Sequence, residues 1–120
     1  LLPRHRGLWP YFWVLANGEQ ETGVTIHWVD EKFDTGDLLL QEKIIVEPDD
    51  TATSLQHKSA LMGAEMLVKA VNLITAGNPP RIAQDHRQAS YHSYPKPADQ
   101  RRFRQQGGQY GTIFELWKYM

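Results

Sequence analysis

Residues 23–37 read Gly-Val-Thr-Ile-His-Trp-Val-Asp-Glu-Lys-Phe-Asp-Thr-Gly-Asp, and their character changes half-way. In the first half Val24, Ile26 and Trp28 alternate with their neighbours, which is the period expected of a β-strand. The second half is acidic and contains a glycine, which is typical of a loop. We therefore predict a strand from Gly23 to Asp30 and a loop over residues 31–37 that contains Asp34. Polar groups just beyond a strand end are where α/β proteins commonly place their sites.

A second strand is predicted from Leu38 to Val46, after a loop short enough for an antiparallel pair. A long helix comes next and ends at Gly77, because two prolines stand directly after it. Thr51 or Thr53 can cap this helix, and Thr53 with Gln56 fits a capping box.

The remaining elements are shorter. A helix from Pro10 to about Asn17 is predicted, and its aromatic residues, Trp9 among them, are interpreted as core. Residues 1–8 show no clear period, and residues 81–111 show little beyond a short helix from Pro97 to Phe103. The apolar tail 113–120 is expected to dock on its own protein or on a neighbour.

Composition limits the function classes. The chain has 120 residues, 41% of them apolar, and a formal net charge of -1, so no overall field favours nucleic acid or an anionic membrane. It has no cysteine, which removes disulfide and thiolate chemistry and fits a cytoplasmic protein. No apolar run approaches the roughly 20 residues that span a bilayer.

Three motifs occur in order: Leu1-Leu2-Pro3-x-x-Arg6-Gly7-x-x-Pro10, then Thr22-Gly23-Val24-Thr25-Ile26-His27, then Phe33-Asp34-Thr35-Gly36-Asp37-Leu38-Leu39. Together they resemble the folate-dependent formyltransferase family, which includes methionyl-tRNA and glycinamide ribonucleotide formyltransferases. The resemblance is closest over residues 1–47 and continues through the long helix. Later stretches, including Gln84-Asp85 and Ala89-Ser90-Tyr91, resemble more loosely the segment after the family's catalytic domain.

The resemblance implies an α/β fold: part of a Rossmann-like domain in residues 1–77, with a two-stranded antiparallel sheet piece and a long helix. Residues 78–120 are then an irregular linker and a C-terminal docking segment. The implied reaction transfers a formyl group from 10-formyltetrahydrofolate to a substrate amine. Asp34 matches the family's catalytic aspartate, and Thr25 and His27 match supporting strand residues. The pterin-lining backbone of the family matches the loop Asp30, Glu31, Lys32 and Phe33, and no metal is implied.

The family's other two catalytic residues lie in an Asn-x-His-Pro-Ser segment that runs straight into Leu-Leu-Pro. We therefore expect these 120 residues to be a fragment with little activity on its own. Asp34 would lack the asparagine and histidine that stabilise the oxyanion. An unpaired sheet edge and an exposed apolar face would favour a homodimer.

Plainer interpretations stay open. His27 can be a strand histidine satisfied by its neighbours, and Asp34 can be a turn former. The chain can be a non-catalytic module that associates with itself. The cluster Arg101-Arg102-Phe103-Arg104 permits phosphate contact, although a solvated basic surface fits it better.

Overall fold

The computed structural model of the chain describes residues 1–32, 34–111 and 115. In chain order its elements are β1 (Arg6–Gly7), α1 (Pro10–Ala16), β2 (Glu21–His27), β3 (Leu38–Ile45), α2 (Ala52–Thr75), a 3-10 turn (His86–Gln88), β4 (Tyr91–His92) and α3 (Pro97–Gln105). Phe33 and most of the predicted apolar tail lie outside the described residues. Across the described ranges, no helix combines the length and the apolar composition that crossing a membrane requires.

The hairpin of β2 and β3 is the predicted antiparallel pair. It runs from Glu21 opposite Ile45 to His27 opposite Leu38, with an irregular register at the His27 end. Strand β2 begins at Glu21 rather than at the predicted Gly23, because β3 extends far enough to pair with Glu21 and Thr22. It ends at His27 rather than Asp30, because the Asp30 carboxylate accepts the Lys32 N–H and turns the chain.

Helix α2 packs across both strands, and Thr51 is its N-cap residue. The Thr51 hydroxyl accepts the Ser54 N–H at 3.0 Å, and the Ser54 hydroxyl accepts the Thr51 N–H at 2.8 Å. The capping box is therefore Thr51 with Ser54, and the predicted box of Thr53 with Gln56 was wrong. Thr53 instead donates its hydroxyl to the carbonyl of Tyr110 at 2.6 Å.

The side of α2 away from the sheet is also apolar. Met66 and Ala70 are buried. The helix also exposes five large apolar residues, each 45–62% accessible: Leu61, Leu67, Val68, Val71 and Ile74. Several large exposed apolar residues on one helix are typical of an interaction surface. The homodimer expected from exposed apolar surface stays a prediction.

Helices α1 and α3 form an aromatic core. Phe12 and Phe103 are 2% and 1% exposed, and their rings stack at 4.7 Å between centroids. Trp13 is buried beside them, but Trp9 is 46% exposed, so its assignment to the core was wrong. Trp9 precedes the first helical turn in a left-handed conformation, and its half-exposed ring lies at the edge of the core, against that of Tyr94.

A two-residue parallel pairing joins the N-terminal segment to the segment that follows α2. Arg6 lies opposite Tyr91 in β1 and β4, and the Arg6 N–H donates to the carbonyl of Ser90 at 2.9 Å. Neither strand was predicted, because two residues carry no period. Residues from both predicted parts of the chain, 1–77 and 78–120, thus pack together.

Candidate functional site

A cavity of about 210 Å³ opens at the end of β2. This volume is below the roughly 300 Å³ at which typical small-molecule sites begin, so it suits reacting groups rather than a whole folate. Its lining residues come from the N-terminal segment, from α1 and from the hairpin: Leu1, Leu2, Arg4, His5, Gly7, Pro10, Tyr11, Thr22, Gly23, Thr25, His27 and Asp34. Three of the predicted site residues, Thr25, His27 and Asp34, therefore face one space.

His27 is held in one tautomer. Its Nδ1 lies 2.8 Å from the carbonyl oxygen of Trp28. A carbonyl only accepts hydrogen bonds, so Nδ1 carries the proton and the Nε2 of the neutral ring carries a lone pair. His27 Nε2 is the nitrogen that faces Asp34, at 3.9 Å from Oδ1. The histidine thus presents a proton acceptor to the carboxylate.

Asp34 has one oxygen occupied and one oxygen facing the histidine. Its Oδ2 accepts the Gly7 N–H at 3.1 Å, and the 3.9 Å between Oδ1 and His27 Nε2 is too long for a hydrogen bond. The side chains of Asp34 and His27 are 35% and 24% exposed, so solvent and ligands reach both. Two acceptors therefore face each other across a gap in which a donor can bind.

Gly36 lets the backbone behind this pair come close. A Cβ on Gly36 would lie 1.6 Å from the Trp28 carbonyl oxygen, the atom that fixes the His27 tautomer. No other residue fits there without moving that carbonyl. The glycine of the Asp-Thr-Gly sequence is thus explained by local geometry as well as by turn preference.

Thr25 lies two residues before His27 in β2. Its hydroxyl oxygen accepts the Gln41 side-chain amide at 2.9 Å and the Leu2 N–H at 3.3 Å. A threonine hydroxyl has two acceptor positions and one hydrogen, so its hydrogen remains to donate. Thr25 can therefore offer a donor to a group in the cavity.

The loop predicted to line a pterin is placed differently. Asp30, Glu31 and Lys32 are exposed and do not line this cavity. The Thr35 hydroxyl and the Lys32 N–H donate to the Asp30 carboxylate, and these two hydrogen bonds hold its pKa below the usual value. Phe33 lies outside the described residues. The contribution of this loop to folate binding stays a prediction.

His5, which lines this cavity, belongs to a second group of ionisable residues. His5 Nε2 lies 2.5 Å from a Glu19 carboxylate oxygen, and the His5 ring stacks on His92 at 5.2 Å. Burial, with repulsion from His5, lowers the pKa of His92. Sequence reasoning missed this cluster, because its members are far apart in the chain and match no local pattern.

Other side chains considered from the sequence are engaged elsewhere. Asp37 pairs with Arg81 at 3.1 Å. Among residues 1–32, 34–111 and 115, no three histidine or acidic side chains come together as a metal site would require. In the basic cluster 101–104 the Phe103 ring is buried and the arginines are exposed, so that ring is not available to stack on a base.

The sequence family model described as Formyl transferase matches residues 1–71 of this chain, more than half of its length. The chain belongs to the formyl transferase family. Its fold is accordingly part of a Rossmann-like formyltransferase domain, as the three motifs indicated. Curated relatives of this family member include the methionyl-tRNA formyltransferases of Methylacidiphilum infernorum (44% identical over 91 residues) and Anaeromyxobacter sp. strain K (48% over 90 residues). These alignments cover 76% and 75% of the chain but only 28% and 29% of the two relatives.

Solved structures of formyltransferases superpose on this family member. The N-formyltransferase from Helicobacter canadensis, in complex with folinic acid and dTDP-3-aminofucose, matches with a TM-score of 0.73 and 28% identity over 77% of this chain and 34% of that one. The formyltransferase PseJ from Anoxybacillus kamchatkensis, in complex with a UDP-linked formamido sugar and tetrahydrofolate, matches with a TM-score of 0.68 and 27% identity over 77% of this chain and 48% of that one. The family member thus spans less than half of either structure.

Proposed function

We propose that this chain supplies the His27–Asp34 side of a site that transfers a formyl group from 10-formyltetrahydrofolate to a substrate amine. One observation carries the proposal: an imidazole lone pair and a carboxylate oxygen face each other at 3.9 Å across the mouth of a cavity. This arrangement accepts a proton from a donor placed between the two groups.

Such a proton acceptor is what the reaction needs. When the amine nitrogen attacks the formyl carbon, a C–N bond forms, the carbonyl oxygen becomes an oxyanion and the nitrogen becomes cationic. His27 Nε2 can take the proton from that nitrogen, and the Asp34 carboxylate stabilises the imidazolium that results. The oxyanion then re-forms the carbonyl, the bond to the folate nitrogen breaks, and that nitrogen takes up the proton.

The identity of the formyl donor is inferred from the relatives. The Helicobacter canadensis and Anoxybacillus kamchatkensis enzymes were solved with folinic acid and with tetrahydrofolate. The acceptor is proposed only as a primary amine, because the relatives differ in their acceptors: the curated ones are methionyl-tRNA formyltransferases, and the solved ones carry nucleotide sugars.

The test is a titration of the purified chain with 5-formyltetrahydrofolate, monitored by calorimetry. We expect saturable binding that Asp34→Asn weakens about tenfold, because the amide keeps the acceptor for the Gly7 N–H but removes the charge facing His27. Asp49→Asn is the matched control, since Asp49 is an exposed aspartate outside the cavity. Absence of binding, or equal weakening by both variants, would contradict the proposal.

The alternative is a non-catalytic module that associates with itself, and the exposed apolar residues of α2 favour it. Sedimentation of the same sample separates the two. A stable dimer of the 13.8 kDa chain that fails to bind the folate would favour the module. A monomer at micromolar concentration would count against it.

A further inference from the structure

The segment after α2 returns to the back of the Asp34 loop and delivers one buried amide. Gln84 is 5% exposed. Its Nε2 donates to the carbonyl oxygen of Asp34 at 2.9 Å and to that of Gly36 at 2.6 Å. Its Oε1 accepts from Arg6 Nη2 at 2.8 Å. One side chain therefore holds both sides of the turn that carries the candidate carboxylate.

The orientation of this amide is fixed by chemistry. Backbone carbonyls only accept hydrogen bonds and a guanidinium only donates them, so Nε2 must face the loop and Oε1 must face Arg6. Arg6 is itself 9% exposed and is placed by β1. Because the next residue, Gly7, donates its N–H to Asp34 Oδ2, β1 contacts the aspartate directly and also through Gln84.

The turn needs such support. Asp34 has a φ of +60°, which an L-residue seldom adopts, and the carbonyls of Asp34 and Gly36 converge on one point. Two converging acceptors require a group with two hydrogens on one atom, and a primary amide provides it. Without this amide the two carbonyls are free to turn toward water, and the Asp34 side chain turns with them.

We propose that Gln84 is a positioning residue for Asp34: it holds the loop so that Oδ1 faces His27 while Oδ2 stays on Gly7. This inference rests on the proposed function of the His27–Asp34 pair. Gln84 does not line the cavity and acts only through the loop. It lies beyond residue 71, outside the part of the chain that the family sequence model matches.

The experiment is a double-mutant cycle on 5-formyltetrahydrofolate affinity, using the full chain, Gln84→Ala, Asp34→Asn and the double variant. Gln84→Ala is expected to weaken binding about tenfold in the parent chain and to have almost no further effect when Asp34 is already Asn. Gln88→Ala is the matched control, because Gln88 belongs to the same segment and its side chain donates to nearby Asp85 instead of to the loop. It should bind like the parent.

A second variant and a second measurement keep the test open if Gln84→Ala folds poorly. Gln84→Glu keeps an oxygen for Arg6 but has no hydrogen for the two carbonyls when ionised, so it should weaken binding as Gln84→Ala does. Amide hydrogen exchange at Gly7 should quicken about tenfold in either variant, because its acceptor on Asp34 is released. Exchange at Ser54, which is bonded to Thr51, should not change.

The outcomes separate the two proposals. In the first outcome the parent chain binds the folate and Asp34→Asn weakens this binding, so the proposed function stands. The positioning role is then overturned if Gln84→Ala has no effect on binding, or if its effect simply adds to that of Asp34→Asn. If the parent chain does not bind, the proposed function fails. The Gly7 amide then decides alone: faster exchange in the Gln84 variants supports the positioning role, and unchanged exchange overturns it.

Discussion

Two of the aspartates that flank strand β3, Asp34 before it and Asp50 after it, are bonded very differently. Asp50, after the strand, is 4% exposed at its side chain and accepts hydrogen bonds at both oxygens. Its donors are the Ser54 hydroxyl at 2.6 Å, the Glu47 N–H at 2.8 Å and Lys58 at 2.7–2.8 Å. Asp34, before the strand, is 35% exposed, and within the described part of the chain it accepts at one oxygen, from Gly7.

The difference distinguishes a carboxylate that holds structure from one that is available to a ligand. Both oxygens of Asp50 already accept hydrogen bonds from residues around the start of α2, so neither oxygen is left for a ligand. Asp34 keeps an oxygen facing His27 and the cavity, so a bound donor can complete its bonding. We therefore expect changes at Asp50 to lower stability and changes at Asp34 to lower ligand affinity.

The largest effect on stability is expected from Gly36→Ala, which crowds the Asp34 corner. The new Cβ would lie 1.6 Å from the Trp28 carbonyl oxygen, so the loop has to move away. The cost should be about 3 kcal/mol in the free energy of unfolding, at the upper end for overpacking. Chemical denaturation measures it.

Gly63→Ala is the control for that substitution. Gly63 lies inside α2, and its new Cβ would meet only Val24 at 3.6 Å, an ordinary contact. Alanine should stabilise this helix by about 0.5–1 kcal/mol. Equal destabilisation by both alanines would show that the close approach behind His27 is not specific.

The strand that carries His27 and the loop that carries Asp34 were predictable from the sequence, but the contacts between distant segments were not. Alternation in β2 and the acidic loop placed His27 and Asp34 near each other, and the family resemblance singled them out. The partners that orient Asp34 are Gly7 and Gln84, 27 and 50 residues away in the chain. No period or local motif connects residues at such separations, so these contacts appear only in the folded chain.

Local sequence rules were also insufficient at the start of α2, where the two competing cap residues lie only two positions apart. Thr51 and Thr53 both satisfy the local rule for a helix cap, so the rule alone did not choose between them. Asp50 makes the difference, because it accepts the Ser54 hydroxyl and thereby holds Ser54 in position to complete the box with Thr51. Side-chain networks of this kind decide between local alternatives that propensity leaves equal.

Asp50→Asn is expected to have the next largest effect. Removing the charge weakens the bonds from Lys58 and Ser54, and this should cost about 1.5–2 kcal/mol at neutral pH. The loss is no larger because the Lys58 side chain is 41% exposed and its attraction to Asp50 is screened by solvent. Thermal unfolding of the variant beside Asp49→Asn, which changes an exposed neighbour, measures the difference.

The effect at Asp50 should depend on pH. Burial by itself raises the pKa of Asp50, but hydrogen bonds from Lys58, Ser54 and the Glu47 N–H outweigh it, and the net pKa lies below its ordinary value. A lowered pKa gives stability that is fully present above the unfolded value of about 3.9 and is lost as pH falls through the folded value. The gap between the parent and Asp50→Asn should therefore stay constant near neutrality and close in acid. A gap that widens in acid would contradict this bonding.

Asp34→Asn should change stability least, by less than about 0.5 kcal/mol, although it is the variant expected to reduce folate affinity. Asparagine has the same shape, tolerates the left-handed backbone at φ +60°, and offers its oxygen to the Gly7 N–H. Only the charge facing His27 is lost, and the 3.9 Å between that oxygen and His27 Nε2 is too long for a hydrogen bond. Denaturation midpoints for the Asp34 and Asp50 variants, measured together at neutral pH, check the contrast. If Asp34→Asn is as destabilising as Asp50→Asn, then Asp34 is a structural carboxylate as well, and its exposed oxygen no longer marks it as the one available to a ligand.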